Sequence, residues 1–230
     1  MISKEEIENR LWEGANELRG SMDASRYKDY MLGIMFYKFL SDKTLQAFAK
    51  ISGSKLTGHD LYLQYKEKVM SYQNGDTSSF KNNPVLKVIN QYQGFYIQPN
   101  YLFQSWEEDI NNGVFELEKM KSSFEEFEQI VAFQTNKDDY SKLFSVIKID
   151  DPALGSSLKV RNENLTALIN LFSGLNLQEL QEHDVAGDVY EYLIGKFAME
   201  SGAKAGEFYI RLFQNLFNID VCNNCTCKVA

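Results

Sequence analysis

Cysteine is scarce in this sequence of 230 residues, and its three copies, Cys222, Cys225 and Cys227, all lie within the last nine positions. A disulfide-stapled fold is excluded because no other segment contributes a thiol. A closed zinc site takes four ligands, whereas this cluster offers three, and His59 and His183 share no ligand spacing with it. We therefore predict no metal site, and a metal-binding regulator that uses the tail stays as an alternative.

Long apolar runs and an excess of basic residues are also missing. No run of about 18 apolar residues occurs, so we expect no membrane-spanning helix. The first residues, Met-Ile-Ser-Lys-Glu-Glu, are polar and acidic, and we expect no secretory signal. A net charge of −8 opposes strong autonomous binding to nucleic acid, which requires clustered lysine and arginine. These features predict a soluble, cytoplasmic protein, and a role beside a subunit that grips DNA stays open.

One apolar stretch dominates what the sequence does contain. Residues 30–40 are Tyr-Met-Leu-Gly-Ile-Met-Phe-Tyr-Lys-Phe-Leu, and only Gly33 and Lys38 are neither apolar nor aromatic. Asp23 and Ser25 precede the stretch as N-cap candidates. A helix that is apolar on nearly every side must be enclosed by protein. We therefore predict a central core helix on which the other helices pack.

Apolar residues recur at helical spacing through most of the remaining chain. The other predicted helices cover residues 3–18, 60–72, 85–92, 117–131, 159–172 and 185–200. Residues 94–97, Gly-Phe-Tyr-Ile, are the best candidate for a minor short strand or hairpin. Core side chains without an assigned element are expected at Tyr101, Leu102, Phe103 and Trp106. The predicted fold class is all-α, an N-terminal helical bundle.

The predicted helix at 117–131 has a distinctly acidic pattern. Its apolar residues alternate at spacings of three and four, at Leu117, Met120, Phe124, Phe127 and Val131. Glutamates stand between them or beside them, at Glu116, Glu118, Glu125, Glu126 and Glu128. The pattern favours a packed helix with a solvated acidic face, and a partner-binding seam is the alternative.

Two segments share a resemblance to one protein family. In the first, Leu-Arg-Gly-Ser-Met at 18–22 leads into Tyr-Lys-Asp-Tyr at 27–30 and Ser-Asp-Lys at 41–43. In the second, Gly-Asp-Val-Tyr-Glu-Tyr-Leu at 187–193 precedes Gly-Glu-Phe-Tyr at 206–209. Both segments, in this order, resemble the modification (M) subunit of type I DNA restriction-modification systems, an N6-adenine DNA methyltransferase family.

The resemblance covers residues 1–209 and implies three parts. Residues 1–180 would be the N-terminal helical domain, residues 181–209 a helix and turn at the entry to an α/β methyltransferase domain, and residues 210–230 a divergent cysteine-containing tail. The family transfers a methyl group from S-adenosylmethionine to adenine N6 in DNA. The implied role of this chain is subunit assembly and DNA clamping. The implied partners are a specificity subunit, a second M subunit, a restriction subunit and double-stranded DNA.

The resemblance also implies which residues contact the cofactor. In the family, the Gly-Glu-Phe-Tyr turn lines the S-adenosylmethionine pocket, so the carried-over cofactor-binding residues are Glu207, Phe208 and Tyr209. Phe208 and Tyr209 would pack on the adenosine. From the residues alone, an alternative stays open, in which the two aromatic rings after Gly206 only cover a helix end.

The residues that carry out methyl transfer are not expected in this chain. Adenine methylation needs a flipped base held by polar groups and stacked on an aromatic ring, which an Asn-Pro-Pro-aromatic motif provides in the family. The three prolines, Pro84, Pro99 and Pro152, are never adjacent, so that motif is missing. We therefore predict no catalytic residue, an inactive chain on its own, and a sequence truncated or frame-shifted after about residue 209.

Two further interpretations remain open to test. Asp-Pro-Ala-Leu-Gly-Ser at 151–156 resembles a family turn that binds S-adenosylmethionine, but it precedes the Gly-Glu-Phe-Tyr turn instead of following it. We predict that it only caps the next helix. The alternative function, from another class, is a stand-alone helical protein-interaction module unrelated to methylation.

Overall fold

The computed structural model describes residues 24–73, 80, 82–132, 144 and 147–175, with the single positions 9, 12 and 14. The helices in this part are α1 (Ala24–Ser52), α2 (Gly58–Met70), α3 (Pro84–Gln93), α4 (Phe103–Asn111), α5 (Leu117–Ala132) and α6 (Leu158–Phe172). Short 3-10 helices span Pro99–Tyr101 and Pro152–Leu154. No strand forms among these residues, and the all-α prediction is confirmed.

α1 lies at the centre of the bundle, against α2, α3, α4 and α6. Its buried residues include Tyr30, Phe36 and Tyr37, whose side chains are completely inaccessible to solvent. Burial of each large apolar side chain contributes about 1.5–3 kcal/mol relative to exposure. The prediction of a core helix enclosed by protein is confirmed. The helix ends at Ser52, next to Gly53 with its left-handed φ of +69°.

Four other predicted helices are also present. The predictions at 60–72, 85–92, 117–131 and 159–172 correspond to α2, α3, α5 and α6. α4 was not predicted, although Leu102, Phe103 and Trp106 are fully buried as expected, and Tyr101 is half-buried. Leu102 at the N-cap of α4 offers no capping side chain, so the local signal of a helix start is missing.

The strand or hairpin predicted at residues 94–97 is wrong. Gly94 ends α3 with a φ of +85°, and residues 95–98 belong to no helix or strand. Phe95 and Ile97 are both buried. The alternating apolar pattern therefore marks the buried side of an irregular segment, since a two-residue period does not by itself require a paired strand.

The remaining predictions fall mostly outside the described residues. This applies to the helix at 185–200 and to the domain parts beyond residue 175. Of the predicted helix at 3–18, only positions 9, 12 and 14 are described, and all three are helical. Gly14 lies so close to Leu171 of α6 that a side chain there would collide with it. Within the described part, no helix has the length and apolar character needed to cross a membrane.

Candidate functional site

The connection between α3 and α4, residues 94–102, packs alternate side chains into the core of the bundle, and we call it the central segment. Its buried side chains are those of Phe95, Ile97, Pro99 and Leu102. Buried backbone outside a regular element needs hydrogen-bond partners, because its N–H and C=O groups cannot reach water. Side chains of the neighbouring helices provide several of them.

Two tyrosine hydroxyls hold the backbone of the central segment. The Tyr37 hydroxyl on α1 donates to the Tyr101 carbonyl oxygen at 2.8 Å, and the Tyr65 hydroxyl on α2 donates to the Ile97 carbonyl oxygen at 2.7 Å. Burial raises the pKa of both phenols well above the usual range. Both tyrosines therefore remain neutral donors.

Tyr37 also joins α4 and α5 to the centre of the bundle. Its ring stacks on Trp106 of α4, with centroids 4.6 Å apart and planes 6° from parallel. Trp106 Nε1 donates to Ser123 Oγ on α5 at 3.0 Å, and Ser123 Oγ donates to the Lys119 carbonyl oxygen at 2.7 Å. An aromatic pair of this kind contributes about 0.5–1.5 kcal/mol beyond its buried area.

The Ser-Asp-Lys sequence that closes the first family-like segment binds the start of α4. Ser41 Oγ accepts a hydrogen bond from the Phe103 backbone N–H at 3.0 Å, in place of a local N-cap. Asp42 Oδ1 accepts from Gln104 Nε2 at 2.7 Å. Lys38 Nζ lies 3.1 Å and 3.0 Å from the two Asp42 carboxylate oxygens. This part of α1 therefore positions α4.

Burial controls the ionisation of the acids around this ion pair. Desolvation raises the pKa of Asp42, and it outweighs the opposing effect of Lys38 and of the hydrogen bonds. Desolvation also raises the pKa of Glu107 on α4, although Lys38 and a hydrogen bond with Ser173 lower it. Ser173 directly follows α6, so Glu107 links α4 to the end of that helix. Sequence reasoning missed this cluster, and the spacing of Lys38 and Asp42 by four residues was its only signal.

A second acid, the half-buried Glu126, lies where α5 meets the central segment, and its Oε2 is inaccessible to solvent. Gln98 Nε2 donates to Glu126 Oε1. Desolvation raises the pKa of Glu126 to about 8, and the Gln98 hydrogen bond only partly opposes this. The prediction of a solvated acidic face on α5 is therefore wrong at Glu126. Glu118 and Glu125 are exposed as predicted, and Glu128 is half-buried, so burial of this face depends on what packs against it.

The turn at 151–156 packs against the first turns of α6. Asp151 Oδ1 accepts from the Ala153 backbone N–H at 2.9 Å, and Asn164 Nδ2 donates to the Leu154 carbonyl oxygen at 2.7 Å. Arg161 Nε donates to the carbonyl oxygen of residue 155 at 3.0 Å. These contacts agree with the interpretation as a helix-capping turn, because they join the turn to the first turns of α6.

The residues implied to bind the cofactor, Glu207, Phe208 and Tyr209, lie outside the described residues, as does the cysteine cluster. Among the residues that are described, no group of three or more histidine, cysteine, aspartate or glutamate side chains could hold a metal ion. A groove of about 600 Å³ lies between α5 and residues 147–152. The buried polar residues described above bind one another and the backbone, and so they fix the positions of the helices relative to one another.

Two family models match successive regions of the chain. A family model described as the HsdM N-terminal domain matches residues 7–172. A model described as N-6 DNA Methylase matches residues 181–212. The first match therefore covers nearly all of the described bundle, and the second lies beyond it.

Individual relatives give the same assignment. The chain is 28% identical over 211 residues to the type I restriction enzyme MpnII methylase subunit of Mycoplasma pneumoniae, covering 88% of this chain and 37% of the relative. It is 26% identical to the MjaIX methylase subunit of Methanocaldococcus jannaschii, covering 89% of this chain and 33% of the relative.

A solved structure also matches the chain. The crystal structure of a type I restriction-modification methyltransferase subunit from Streptococcus thermophilus is similar with a TM-score of 0.72 and 30% identity, over 87% of this chain and 40% of that one. The chain thus spans between 33% and 40% of the length of the relatives it matches.

Proposed function

The chain belongs to the family of the HsdM N-terminal domain, and from this premise we propose that it serves subunit assembly and DNA clamping in a type I modification complex. The observation that carries the proposal is the family match over residues 7–172. The curated relatives are type I methylase subunits, and this chain covers their N-terminal domain with a small part of the methyltransferase domain.

The arrangement of the bundle supports a docking role. Its buried polar residues join α1, α4 and α5 to one another and to the central segment, and such networks restrict the relative motion of the helices. Rigid partners lose little conformational freedom on association, and this favours stable assembly. The net charge of −8 makes DNA contact through a complex more favourable than contact by this chain alone, because free acidic surface repels phosphate.

We propose a specificity subunit, a second M subunit and a restriction subunit as the protein partners, and double-stranded DNA as the nucleic acid bound by the complex. The proposed compartment is the cytoplasm, where that DNA is found. The proposed division of the chain places a domain boundary near residue 180, which is supported by the two family matches ending at 172 and beginning at 181.

S-adenosylmethionine is the proposed cofactor at the level of the family, where it supplies the methyl group. Glu207, Phe208 and Tyr209 are the residues proposed to contact it. Support comes from their position inside the region matched by the N-6 DNA Methylase model, residues 181–212.

We predict that the 230-residue chain alone transfers no methyl group, because no two of its prolines are adjacent and an Asn-Pro-Pro-aromatic motif cannot occur. The chain should be incubated with labelled S-adenosylmethionine and adenine-containing duplex DNA. The expected incorporation equals that of a reaction without protein. Protein-dependent label at adenine N6 would contradict the prediction.

The assembly role is tested by co-purification with a type I specificity subunit and a full-length M subunit. We expect a stable complex that elutes together in size-exclusion chromatography. The two subunits run without the chain provide the control. A chain shown to be folded by circular dichroism that binds neither subunit would favour the stand-alone interaction module.

A further inference from the structure

The Glu126 carboxyl group has unequal surroundings at its two oxygens. Oε1 accepts a hydrogen bond from Gln98 Nε2 of the central segment. Oε2 is buried and has no hydrogen-bond partner among the described residues. A buried carboxylate oxygen without a donor is unfavourable, because the charge has lost its water and gained no compensation. A protonated carboxyl group avoids most of this cost.

Within the described residues, the elements packed around Glu126 supply no counter-charge. The titratable groups there that interact with it are Tyr37 on α1, Tyr65 on α2 and Tyr96 on the central segment. Burial raises the pKa of all three phenols, and the negative charge of Glu126 raises it further. No lysine or arginine in the described part of the chain lowers the pKa of Glu126. Its charged form therefore has a solvent-inaccessible Oε2 and only neutral phenols as titratable neighbours in the described part of the chain.

We propose that Glu126 makes the packing of the central segment against α5 dependent on a proton. With the proton bound, the neutral carboxyl group accepts from Gln98 at Oε1 and buries Oε2 without a charge. When the proton is lost, Gln98 compensates the charge only at Oε1, the buried Oε2 stays without a donor, and the packing of the segment against α5 is weakened. This goes beyond the proposed role in assembly and does not depend on it, since it concerns the stability of the bundle itself.

The direction of the effect follows from the two protonation states. Burial raises the pKa of Glu126 to about 8 in the folded chain, above the value of about 4.3 for an exposed glutamate. Between these values the folded state binds one proton that the unfolded state does not. The stabilisation by the proton on Glu126 is therefore complete below the pKa that Glu126 has in the unfolded chain. It decreases as pH rises, and it is lost at and above the pKa of Glu126 in the folded chain.

The test is urea unfolding of the full chain across the range from about pH 5 to about pH 9, for the wild type, Glu126→Gln and the matched control Glu125→Gln. Glu125 is the exposed neighbour on the same helix. We expect the ratio of the wild-type folding constant to that of Glu126→Gln to fall by up to about tenfold per pH unit and then level off near pH 8. Glu125→Gln should follow the wild type. A constant ratio would overturn the proposal.

A second measurement detects the proton directly. Infrared spectra of the chain with isotope-labelled glutamate should contain, at neutral pH, a protonated-carboxyl band that is lost in Glu126→Gln and titrates away near pH 8 in the wild type. Gln98→Leu removes the hydrogen bond that lowers this pKa, so the band should persist to higher pH. A titration unchanged by Gln98→Leu, or no band that depends on Glu126, would contradict the proposed contact.

Discussion

At the scale of single residues, the most consequential feature is a pair of opposite charges inside the bundle. The side chains of Lys38 and Asp42 are only 6% and 10% exposed. Lys38 Nζ also lies 5.2 Å from the centroid of the Phe103 ring. Each charge is tolerated because the other is present, since an isolated ion in a medium of low polarity loses far more hydration energy than packing can return.

We predict that Lys38→Met destabilises the chain by about 3 kcal/mol at neutral pH, because it leaves the Asp42 carboxylate buried and unpaired. Methionine retains the aliphatic part of the side chain, so little packing is lost. Urea unfolding at several pH values measures the effect. The loss should shrink as pH falls, since the pKa of Asp42 is already raised by burial and would be raised further without Lys38, so that protonation removes the unpaired charge.

Lys159→Met is the control for this variant. Lys159 Nζ lies 3.8 Å from Glu163 Oε1 on α6, and both side chains are mostly exposed. Exposed pairs of this kind contribute about 0–1 kcal/mol to the stability of a protein. Its unfolding midpoint should match that of the wild type. Equal effects of Lys38→Met and Lys159→Met would show that burial of the first pair has no energetic consequence.

At the scale of elements, the starts of two helices are held by contacts with other parts of the chain. At α6 these add to a local N-cap, since Ser157 Oγ accepts a hydrogen bond from the Val160 backbone N–H. α4 has its Phe103 N–H bound by Ser41 of α1. α6 has the 151–156 turn folded back on it, with Gly155 at a φ of +149°. A Cβ at Gly155 would lie 2.7 Å from Val160 Cγ1 and 3.1 Å from the Arg161 backbone nitrogen. This glycine is therefore required by close approach to α6 as well as by its backbone conformation.

We predict that Gly155→Ala destabilises the chain by about 3 kcal/mol, since it adds steric overlap to backbone strain. Gly94→Ala provides the matched comparison. Gly94 has a φ of +85° and open space where a Cβ would stand. Gly94→Ala should therefore lower the free energy of unfolding by only about 1–2 kcal/mol. Thermal or urea unfolding of the two variants checks the order. A Gly94→Ala variant that is the less stable of the two would contradict the role assigned to the turn.

At the scale of the whole molecule, the central segment connects the helices. Tyr37 on α1 and Tyr65 on α2 bind its carbonyl groups, and Gln98 binds Glu126 on α5. The segment thus serves as a shared partner in the interior, where most bundles have only side chains. Because several helices depend on the same few residues, loosening one contact should weaken the others.

We predict that Tyr37→Phe and Tyr65→Phe each cost about 1–3 kcal/mol, since each leaves a buried carbonyl without its donor. The double variant should cost at least about 0.5 kcal/mol less than the sum, because both hydroxyls hold one segment. Urea unfolding of the four proteins gives this coupling energy. Tyr30 donates to the Lys148 carbonyl oxygen, in a different segment, so Tyr30→Phe combined with Tyr65→Phe should be additive. Additivity in both pairs would contradict the connecting role.

Some of this protein was determined by the sequence alone. Apolar periodicity is a local property, and by itself it is sufficient to locate α2, α3, α5 and α6. The stretch at 30–40 is apolar on nearly every side, which required enclosure by protein, and Tyr30 and Leu40 are indeed completely buried. Family membership could likewise be recognised from the two segments that carry the resemblance. Short motifs in a fixed order are a property of the sequence, so they can be identified without the structure.

Other features were decided only by the tertiary structure. α4 begins where Ser41, 62 residues earlier in the chain, binds the Phe103 N–H. Glu126 follows the same acidic pattern as its exposed neighbour Glu125, yet it is half-buried with its Oε2 inaccessible to solvent, because the central segment contacts that part of α5. The physical reason is the same in both cases. Periodicity specifies which face of a helix is apolar, whereas hydrogen-bond partners and the burial of individual polar groups depend on which distant segment packs there.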